Sequence, residues 1–456
     1  MDRRRFLIRS AQVGAVLALG CQGPDDEATA DTRVPPAAPS DAQVPDAAVV
    51  ADDAIDAALD APPPDALPAD AIVDAIDRVQ WPEHPFSKGP WSFIGAEGEV
   101  VVRFETLDPT PVPVRLEVDG VAGVEVMPSV STQWVEYTWP PFETTLPVTD
   151  RPGEYSLQEA RFHGLAPGLR HRYSVGPLQG TLRTPPMSGE PFRLAFVADT
   201  MAPFFEDVVA KVVEAEPDLL LHGGDIVYQT NPIDTWTGFY RAFAPALRGM
   251  AFHACMGNHE NEGQDELSVQ SLRLLSGQGA PGDAAVGDYH AFTYGGVRFL
   301  MLNSERDFDD EGQQIAWLRA ELEAVDADPA LRFAIAAFHR PFFTFGAEPN
   351  LGTRTRVHGL FAAHRVPLVL TGHLHSYERF AADGVTYIVD GGGGGLLSSP
   401  DEARDAIAEA RPDELDLRFA ATMTWGATFI DVGAQALTGW RVNVDGVEED
   451  RFEIAL

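Results

Sequence analysis

The spacing of apolar residues along the chain changes near residue 190. From residue 99 to residue 186, apolar and polar residues alternate in short runs, such as residues 100–104 and 114–118, and Gly and Pro separate the runs. Alternation with a period of two is typical of strands that bury one face. This part of the chain therefore predicts a small all-β sandwich.

Beyond residue 191, apolar runs of strand length alternate with segments whose apolar residues recur at helical spacing. Successive strand–helix–strand units favour a largely parallel sheet, with functional residues on loops at the carboxyl ends of the strands. Residues 420–455 predict antiparallel strands that complete this domain. The predicted strands are residues 193–198, 218–221, 251–256, 299–303, 333–337, 368–370 and 387–390, and the predicted helices are residues 204–215, 235–247, 313–325 and 355–363.

The first 21 residues predict an export signal instead of a fold. Arg3-Arg4-Arg5-Phe6-Leu7 precedes an apolar segment, residues 13–19, that is too short to span a bilayer as a mature helix. This start resembles a twin-arginine signal, with an ordinary basic Sec-type signal as the alternative. Ala18-Leu19-Gly20-Cys21 resembles a lipobox, which implies acylation of Cys21. We therefore expect a protein that is exported to a bacterial periplasm or cell envelope and lipid-anchored there.

Residues 22–80 repeat Ala, Asp and Pro with almost no aromatic residues. Such a composition buries too little apolar surface to offset the entropy of the chain, so we predict a disordered tether.

The chain has two cysteines, Cys21 and Cys255. Acylation of Cys21 would exclude an intrachain disulfide, and Cys255 lies in a predicted buried strand, where an inert thiol is expected.

Acidic residues outnumber basic residues by 69 to 33, and the net charge is −36. The signal carries +3 of this charge, the tether −12 and residues 81–456 −27. An acidic surface with no basic stripe repels nucleic-acid phosphates, so we exclude a nucleic-acid partner. A small phosphate ester would be attracted only by a local positive centre, such as a bound metal ion.

Five polar motifs follow five of the predicted strands. Each motif alone is a weak signal, because an acid or amide after a strand is commonly a helix cap or a turn residue. Five in succession in one α/β domain are improbable as separate caps. The motifs are Ala198-Asp199-Thr200-Met201, Gly223-Gly224-Asp225-Ile226-Val227-Tyr228, Gly257-Asn258-His259-Glu260, Phe338-His339-Arg340-Pro341 and Gly372-His373-Leu374-His375.

The side chains in these motifs are typical metal ligands. Oxygen ligands suit a hard ion and imidazole suits iron, zinc or manganese, so two carboxylates, a phenol, an amide and three imidazoles indicate a pair of transition ions bridged by a carboxylate. Two ions about 3.5 to 4 Å apart can hold both the attacking and the leaving oxygen of a phosphoryl displacement. They also lower the pKa of a shared water and so provide a hydroxide nucleophile.

The series of motifs resembles the calcineurin-like metallophosphoesterases and, within them, the purple acid phosphatases. The specific blocks are Gly-Asp-x-x-Tyr, Gly-Asn-His-Glu and Gly-His-x-His-x-Tyr-Glu-Arg, and the likeness covers about residues 81–456. The resemblance implies a four-layer α/β/β/α sandwich over residues 188–456. It also implies a fibronectin type III-like sandwich over residues 81–187, where Gly164-Leu165-Ala166-Pro167-Gly168 is similar to the last corner of such a domain.

The resemblance also implies which residues hold the metal ions. Asp199, Tyr228 and His375 would bind the first ion, Asp225 would bridge, and a second group would bind the other ion: Asn258, His339 and His373. Position 201 is Met where the non-purple branch has the histidine of its Asp-x-His block, and Tyr228 stands where the purple branch has a tyrosinate. The implied cofactor is therefore iron(III) with a divalent partner, which would be Zn, Mn or Fe.

Two further residues are candidates for contact with a small phosphate-ester substrate. His259 would donate a proton or bind phosphate together with Asn258, unless it only orients Asn258. Many relatives have a substrate-facing histidine after the fourth motif, but residues 340–350 contain none. Arg340 would supply positive charge there, or would form a surface ion pair.

The leading hypothesis is a hydrolase of phosphate monoesters, of the acid phosphatase type. The alternatives are a phosphodiesterase with the same metal site and a catalytically silent adhesion or scaffold protein of the same fold. We further expect a flexible loop at residues 391–395 and an ion pair between Glu378 and Arg379. We expect structural or exposed positions for the other histidines: His222, His253, His358 and His364.

Overall fold

The computed structural model describes residues 86–95, 98–118, 121–135, 152–201, 204–228, 234–261, 273–275, 289–306, 308, 312–347 and 349–456. The predicted signal, the predicted tether and Cys21 lie outside these ranges. Within them, no helix is both long enough and apolar enough to cross a lipid bilayer.

The part of the chain before residue 188 is all-β in the described ranges, as the alternating pattern predicts. Its strands form two sheets, one with the order β1-β2-β6-β5 and the other with the order β4-β3-β7-β8. The strands are β1 (Phe86–Ile94), β2 (Val100–Thr106), β3 (Val114–Val118), β4 (Val121–Val126), β5 (Ser129–Val135), β6 (Gly153–Phe162), β7 (Arg170–Val175) and β8 (Leu178–Arg183).

These two sheets pack face to face. Val102 and Phe104 from β2 share one apolar core with Leu116 from β3 and Tyr173 from β7. The arrangement is a sandwich, in which inward apolar residues alternate with outward polar ones. The fibronectin-like assignment and the domain limits stay predictions.

The remaining chain alternates strands and helices and ends in antiparallel strands. The strands are β9 (Phe192–Val197), β10 (Leu219–His222), β11 (Ala251–Ala254), β12 (His290–Tyr294), β13 (Val297–Met301), β14 (Phe333–Ala337), β15 (Leu368–Thr371), β16 (Tyr377–Ala382), β17 (Val385–Asp390), β18 (Arg418–Thr422), β19 (Gly426–Val432), β20 (Ala436–Asn443) and β21 (Glu448–Ala455). The helices are α1 (Phe205–Glu214), α2 (Trp236–Ala242), α3 (Ala244–Leu247), α4 (Asn258–Asn261), α5 (Gln313–Ala327), α6 (Leu351–Ala363) and α7 (Arg404–Ala410), and a 3₁₀ turn spans Pro412–Leu417.

Two sheets stack between two layers of helices, which confirms the predicted α/β/β/α architecture. In β9, Leu194 faces the core that the two sheets share, whereas the next residue, Ala195, faces α1 and α2. In β13, Phe299 faces the shared core and Leu300 faces α5 and α6. The central strands of each sheet run parallel, with the orders β9-β10-β11 and β13-β14-β15-β17, and antiparallel strands extend both sheets.

The first large sheet continues into the N-terminal sandwich. Strand β1 pairs in parallel with β11, with Ser92 opposite Ala251, so β1, β2, β6 and β5 complete a ten-stranded sheet. The apolar core of the sandwich is likewise continuous with the core between the two large sheets. The all-β part therefore shares its sheet and its core with the α/β part.

Two of the four predicted helices differ from their predicted limits by more than two residues or in number. The segment predicted as one helix over residues 235–247 is two helices, α2 and α3, because Pro245 has no N–H to continue the hydrogen bonds of α2 and instead opens α3. Helix α6 begins at Leu351, four residues before the predicted start. The Asn350 side chain caps it by accepting from the Thr353 amide at 3.2 Å.

Candidate metal centre

The five motifs meet where the carboxyl ends of parallel strands from both sheets come together. Asp199, Asp225 and Asn258 follow β9, β10 and β11 of the first sheet, and His339 and His373 follow β14 and β15 of the second. Tyr228 and His375 lie within three residues of these positions. The structure thus brings all seven predicted ligand side chains to one place.

The first predicted group forms a compact set of donor atoms. Tyr228 Oη lies 3.2 Å from Asp199 Oδ1 and 3.1 Å from His375 Nε2, and His375 Nε2 lies 3.4 Å from Asp199 Oδ1. Asp199 and His375 are buried, while Tyr228 is partly exposed. The backbone amide of His373 also donates to Asp199 Oδ2 at 2.8 Å, which holds this carboxylate in place.

The second predicted group is equally compact. Asn258 Oδ1 lies 3.0 Å from His339 Nε2 and 3.1 Å from His373 Nδ1, and these two ring nitrogens are 3.2 Å apart. All three side chains are buried. Three potential ligand atoms therefore face one small volume.

Asp225 lies between the two groups. Its Oδ2 is 3.4 Å from Tyr228 Oη on one side and 3.1 Å from His339 Nε2 on the other. Its Oδ1 accepts a hydrogen bond from the His259 amide at 3.0 Å. This is the position that a carboxylate bridging two ions requires.

Hydrogen bonds behind two of the imidazoles orient the ring nitrogens that face the cluster. His339 Nδ1 lies 2.9 Å from the Gly223 carbonyl and His375 Nδ1 lies 2.8 Å from the Leu396 carbonyl. A carbonyl only accepts, so each Nδ1 carries a hydrogen and each Nε2 is the ring nitrogen that faces the cluster. The third imidazole, His373, faces the cluster with Nδ1 instead, and its Nε2 accepts from Arg340 Nη1 at 3.2 Å.

The backbone of the site is strained at three of the predicted ligands. Asp199, Asp225 and His373 have φ values of 59°, 54° and 72°. These values lie in the left-handed backbone region, which residues other than glycine rarely adopt. Each such residue costs about 1 to 3 kcal/mol and persists only where its surroundings hold it. Strain concentrated on three of seven candidate ligands is typical of a functional site.

One glycine of the motifs is required by close packing. A Cβ atom on Gly257 would lie 2.0 Å from Asp225 Oδ1. Any larger residue there would displace the carboxylate that lies between the two groups.

Glu260 supports the site, a role that the sequence analysis did not assign. It is buried and accepts hydrogen bonds from the amides of Asp225 and Ile226, each at 2.7 Å, and from the amide of Gly257 at 2.9 Å. These bonds shape the loops of the second and third motifs. The sequence did contain one signal for this role: Glu260 is a carboxylate at the end of the third motif, directly after the candidates Asn258 and His259.

The proton affinities of the site follow from its crowded charges. Burial alone would raise the pKa of Asp225, but the imidazoles of His339 and His259 more than offset it and hold the pKa well below its usual range. Burial lowers the pKa of His339, yet Asp225 and Asp199 raise it to about 10. Burial and the same two carboxylates raise the pKa of Tyr228 well above its usual range. The phenol thus stays protonated unless a cation compensates the carboxylates.

The residues present fit a metal pair. Within the described residues, ligand atoms of Asp225, His339 and His373 lie within 4.8 Å of one another. The mixture of carboxylate, phenol, amide and imidazole donors suits transition ions. Bound cations would also remove the electrostatic conflict between two buried carboxylates and a phenol.

The predicted substrate contacts lie beside the cluster. The His259 ring packs on the Tyr228 ring with a centroid distance of 4.3 Å, and His259 Nε2 is 3.9 Å from Asp225 Oδ2. Arg340 forms an ion pair with Glu305, in which Arg340 Nε lies 2.8 Å from Glu305 Oε2. Arg340 Nη1 also lies 3.2 Å from His373 Nε2. Arg340 therefore takes part in an ion pair and also reaches the site.

Several other expectations have outcomes in the structure. Cys255 is a buried free thiol, as predicted. The ion pair between Glu378 and Arg379 is wrong, because successive residues of a strand point to opposite faces: Glu378 pairs with Arg418, and Arg379 pairs with Asp450. His222 and His253 are buried, whereas His358 and His364 are partly exposed.

The loop at residues 391–395 packs against the first motif. The Gly393 amide donates to the Ala198 carbonyl at 3.0 Å and the Gly395 amide donates to the Asp199 carbonyl at 2.8 Å. A Cβ atom on Gly395 would lie 2.6 Å from the His375 ring. The absence of side chains at these glycines therefore lets the loop pack closely against Asp199 and His375, two of the candidate ligands.

Comparisons with known proteins agree with this geometry. The calcineurin-like phosphoesterase family model matches residues 192–377, a stretch that contains all five motifs. Probable purple acid phosphatase 20 of Arabidopsis thaliana is 25% identical over 314 residues, which are 64% of this chain and 72% of that protein. For two further relatives from the same plant, this chain spans 60% and 61% of their length.

Solved structures show the same fold. The purple acid phosphatase PPD1 from seeds of yellow lupin (Lupinus luteus) superposes with a TM-score of 0.66 at 17% identity, over 80% of this chain and 74% of that one. The structure of PhoD superposes with a TM-score of 0.53 at 13% identity, over 82% of this chain and 93% of that one. The chain therefore contains a calcineurin-like metallophosphoesterase domain and is a homologue of the purple acid phosphatases, a relationship that implies a binuclear metal centre.

Proposed function

We propose that this protein hydrolyses phosphate monoesters at a centre of iron(III) and a divalent ion, which is Zn, Mn or Fe. The observation that carries the proposal is the position of Asp225. One oxygen of its carboxylate contacts a donor of each group, Tyr228 Oη at 3.4 Å and His339 Nε2 at 3.1 Å. An oxygen shared in this way suits a metal pair better than a single ion.

Each ion would be held by three side chains besides Asp225. Asp199, Tyr228 and His375 would hold iron(III), which a phenolate favours, and Asn258, His339 and His373 would hold the divalent ion. When bound, the pair polarises the phosphoryl group and lowers the pKa of a water molecule, so that a nucleophile is available near neutral pH.

Arg340 would bind an oxygen of the phosphate. The Glu305 carboxylate holds Arg340 Nε, and the Ser304 hydroxyl accepts from the Arg340 amide at 2.9 Å. This support directs Nη1 toward His373, on the side of the divalent ion. A guanidinium held in one orientation is a strong partner for phosphate oxygens.

His259 would donate a proton to the leaving oxygen. Its backbone is fixed by the bond from its amide to Asp225, and its ring rests on Tyr228. The side chain is 12% exposed, so it borders the space that a substrate would enter. The competing role is that His259 only orients Asn258.

Turnover of p-nitrophenyl phosphate and of its bis-ester tests the reaction. We expect faster hydrolysis of the monoester, and faster hydrolysis of the bis-ester would assign a phosphodiesterase instead.

His259→Ala should lower turnover about 10²-fold or more with both metals bound, whereas metal loss would favour the orienting role. The matched control is His358→Ala, because His358 pairs with Asp383 away from the five motifs.

A catalytically silent scaffold is the outcome if the protein hydrolyses neither ester and also holds well below two metal ions per chain. The silent protein would keep the fold and lack the chemistry. Elemental analysis of the same sample separates a protein without metal from a metal-loaded protein that acts on a different substrate.

We also propose export and a lipid anchor at Cys21, on the strength of the arginine-rich start and the lipobox-like stretch. Expression of the full chain in a bacterium, followed by fractionation, tests this. Wild-type protein should sediment with membranes, and Cys21→Ser should release it to the soluble periplasmic fraction. Equal membrane association of both proteins would contradict the anchor.

A further inference from the structure

Thr200 and His222 form a buried hydrogen-bond chain between the loops that carry Asp199 and Asp225. Both side chains are fully buried. Thr200 Oγ1 lies 3.0 Å from His222 Nε2 and 2.9 Å from the Ile226 carbonyl. His222 Nδ1 lies 3.2 Å from the Gly224 amide nitrogen.

The direction of every bond in this chain is determined. A backbone amide only donates, so His222 Nδ1 accepts from Gly224. The neutral imidazole then carries its hydrogen on Nε2 and donates it to Thr200 Oγ1. The Thr200 hydroxyl in turn donates to the Ile226 carbonyl, which only accepts. Burial lowers the pKa of His222 to about 3, so the imidazole is neutral near pH 7 and this pattern persists there.

The chain ends on both neighbours of Asp225. Gly224 precedes it and Ile226 follows it, while Thr200 follows Asp199. Two backbone bonds join the same loops, from the Thr200 amide to the Asp225 carbonyl at 2.9 Å and from the Asp199 amide to the Gly224 carbonyl at 3.1 Å. Both aspartates have left-handed backbone conformations that the surroundings must hold.

We propose that Thr200 and His222 are positioning residues that set the separation of the Asp199 and Asp225 carboxylates, and with it the spacing of the two metal positions. The inference rests on the proposed metal centre. A buried pair that served stability alone would have no reason to bond on both sides of one candidate ligand and next to another. Two side chains that touch no ion would thus define where the ions bind.

Two substitutions at Thr200 distinguish the contribution of its hydroxyl group from that of its methyl group. Thr200→Val keeps the shape and removes the hydroxyl, whereas Thr200→Ser keeps the hydroxyl. The matched control is Thr184→Val, because the buried Thr184 hydroxyl also lies between two backbone groups, the Leu169 amide at 2.9 Å and the Ala166 carbonyl at 2.8 Å. Thr184 follows β8 and belongs to none of the five motifs.

Zn²⁺ titration of the metal-free full chain by calorimetry gives the first measurement. Thr200→Val should weaken Zn²⁺ binding about 10-fold or more, as is typical when a group behind a metal ligand is lost. Thr200→Ser should stay near the wild-type affinity. Thr184→Val should lower the thermal midpoint and leave Zn²⁺ affinity unchanged.

Amide hydrogen exchange of the metal-free protein gives the second measurement. Thr200→Val should speed exchange at Thr200 and Gly224, whereas Thr200→Ser and Thr184→Val should not. Wild-type exchange and wild-type Zn²⁺ affinity in Thr200→Val would overturn the proposal, as would equal losses in Thr200→Ser. If the wild type hydrolyses no phosphate ester but both contrasts hold, the proposed function fails and the positioning role stands.

Discussion

Two groups of buried histidines in this molecule differ in their neighbours. His253 and His290 lie in the core, where no carboxylate of the described residues bonds to them, and burial lowers the pKa of both, that of His290 to about 3. His339 and His375 are buried as deeply, but Asp225 and Asp199 raise their pKa values. Burial removes charge from an imidazole unless an acid compensates, so the acids beside His339 and His375 make their surroundings favourable to positive charge.

The core pair shows what a purely structural histidine looks like. The Ile94 amide donates to His253 Nε2 at 3.2 Å, and His253 Nδ1 then donates to His290 Nε2 at 3.1 Å. The His253 ring stacks on Phe292 with a centroid distance of 3.5 Å. The ring nitrogens of this pair bond to each other and to a backbone amide, whereas Nε2 of His339 and Nε2 of His375 lie among the candidate ligand atoms.

Removing the carboxylate between the two ligand groups should have the largest effect. Asp225→Asn is expected to release metal and to lower phosphatase activity by more than about 100-fold, because loss of a group behind a ligand alone costs about 10- to 100-fold. Metal analysis and turnover measure it. Retention of two ions by Asp225→Asn would show that this carboxylate is not shared.

Displacing the same carboxylate should have a smaller effect. Gly257→Ala puts a Cβ atom where Asp225 Oδ1 lies, at 2.0 Å, so metal affinity should fall about 10-fold. Gly352→Ala is the control, since its Cβ would meet nothing within 4 Å and alanine favours helix α6. Equal metal affinity in the two variants would contradict the packing argument.

The core pair should limit stability in acid. The folded-state pKa of His290 lies below the unfolded value of about 6.5, so the unfolded chain binds more protons between these values and stability is lost as the pH falls from 6.5 toward 3. His290→Gln should reduce this loss by roughly 1 kcal/mol per pH unit. Urea unfolding at pH 7 and pH 5 measures it, and an unchanged pH dependence would refute it.

Cys255 lies between the two regions, directly after β11, on the segment that joins His253 to the third motif. Cys255→Ala should cost about 1 kcal/mol of stability by leaving a small cavity. Metal content should stay that of the wild type. A loss of metal in this variant would show that the core and the site are coupled through this segment.

Local patterns in the sequence predicted the site better than the connections of the fold. The five motifs each follow a strand, and parallel strands bring their carboxyl ends together, so the strand ends indicated where these side chains would meet. The assignment of the seven candidate ligands came from the family resemblance. Pairing of β1 with β11 joins Ser92 to Ala251 across more than 150 residues, and no local pattern encodes such a partner. The same limit hid Glu260 and the Thr200–His222 chain, whose roles depend on hydrogen bonds between separate loops.

We propose that seven side chains hold a metal pair that contains iron. Asp225 would be shared by the two ions, and Tyr228 would bind the iron. Elemental analysis and the visible spectrum of the purified, metal-replete protein, compared with Tyr228→Phe, test it most directly. We predict two ions per chain, one of them iron, and a visible band that Tyr228→Phe abolishes. Fewer than two ions per chain, or a band that survives in Tyr228→Phe, would contradict the claim.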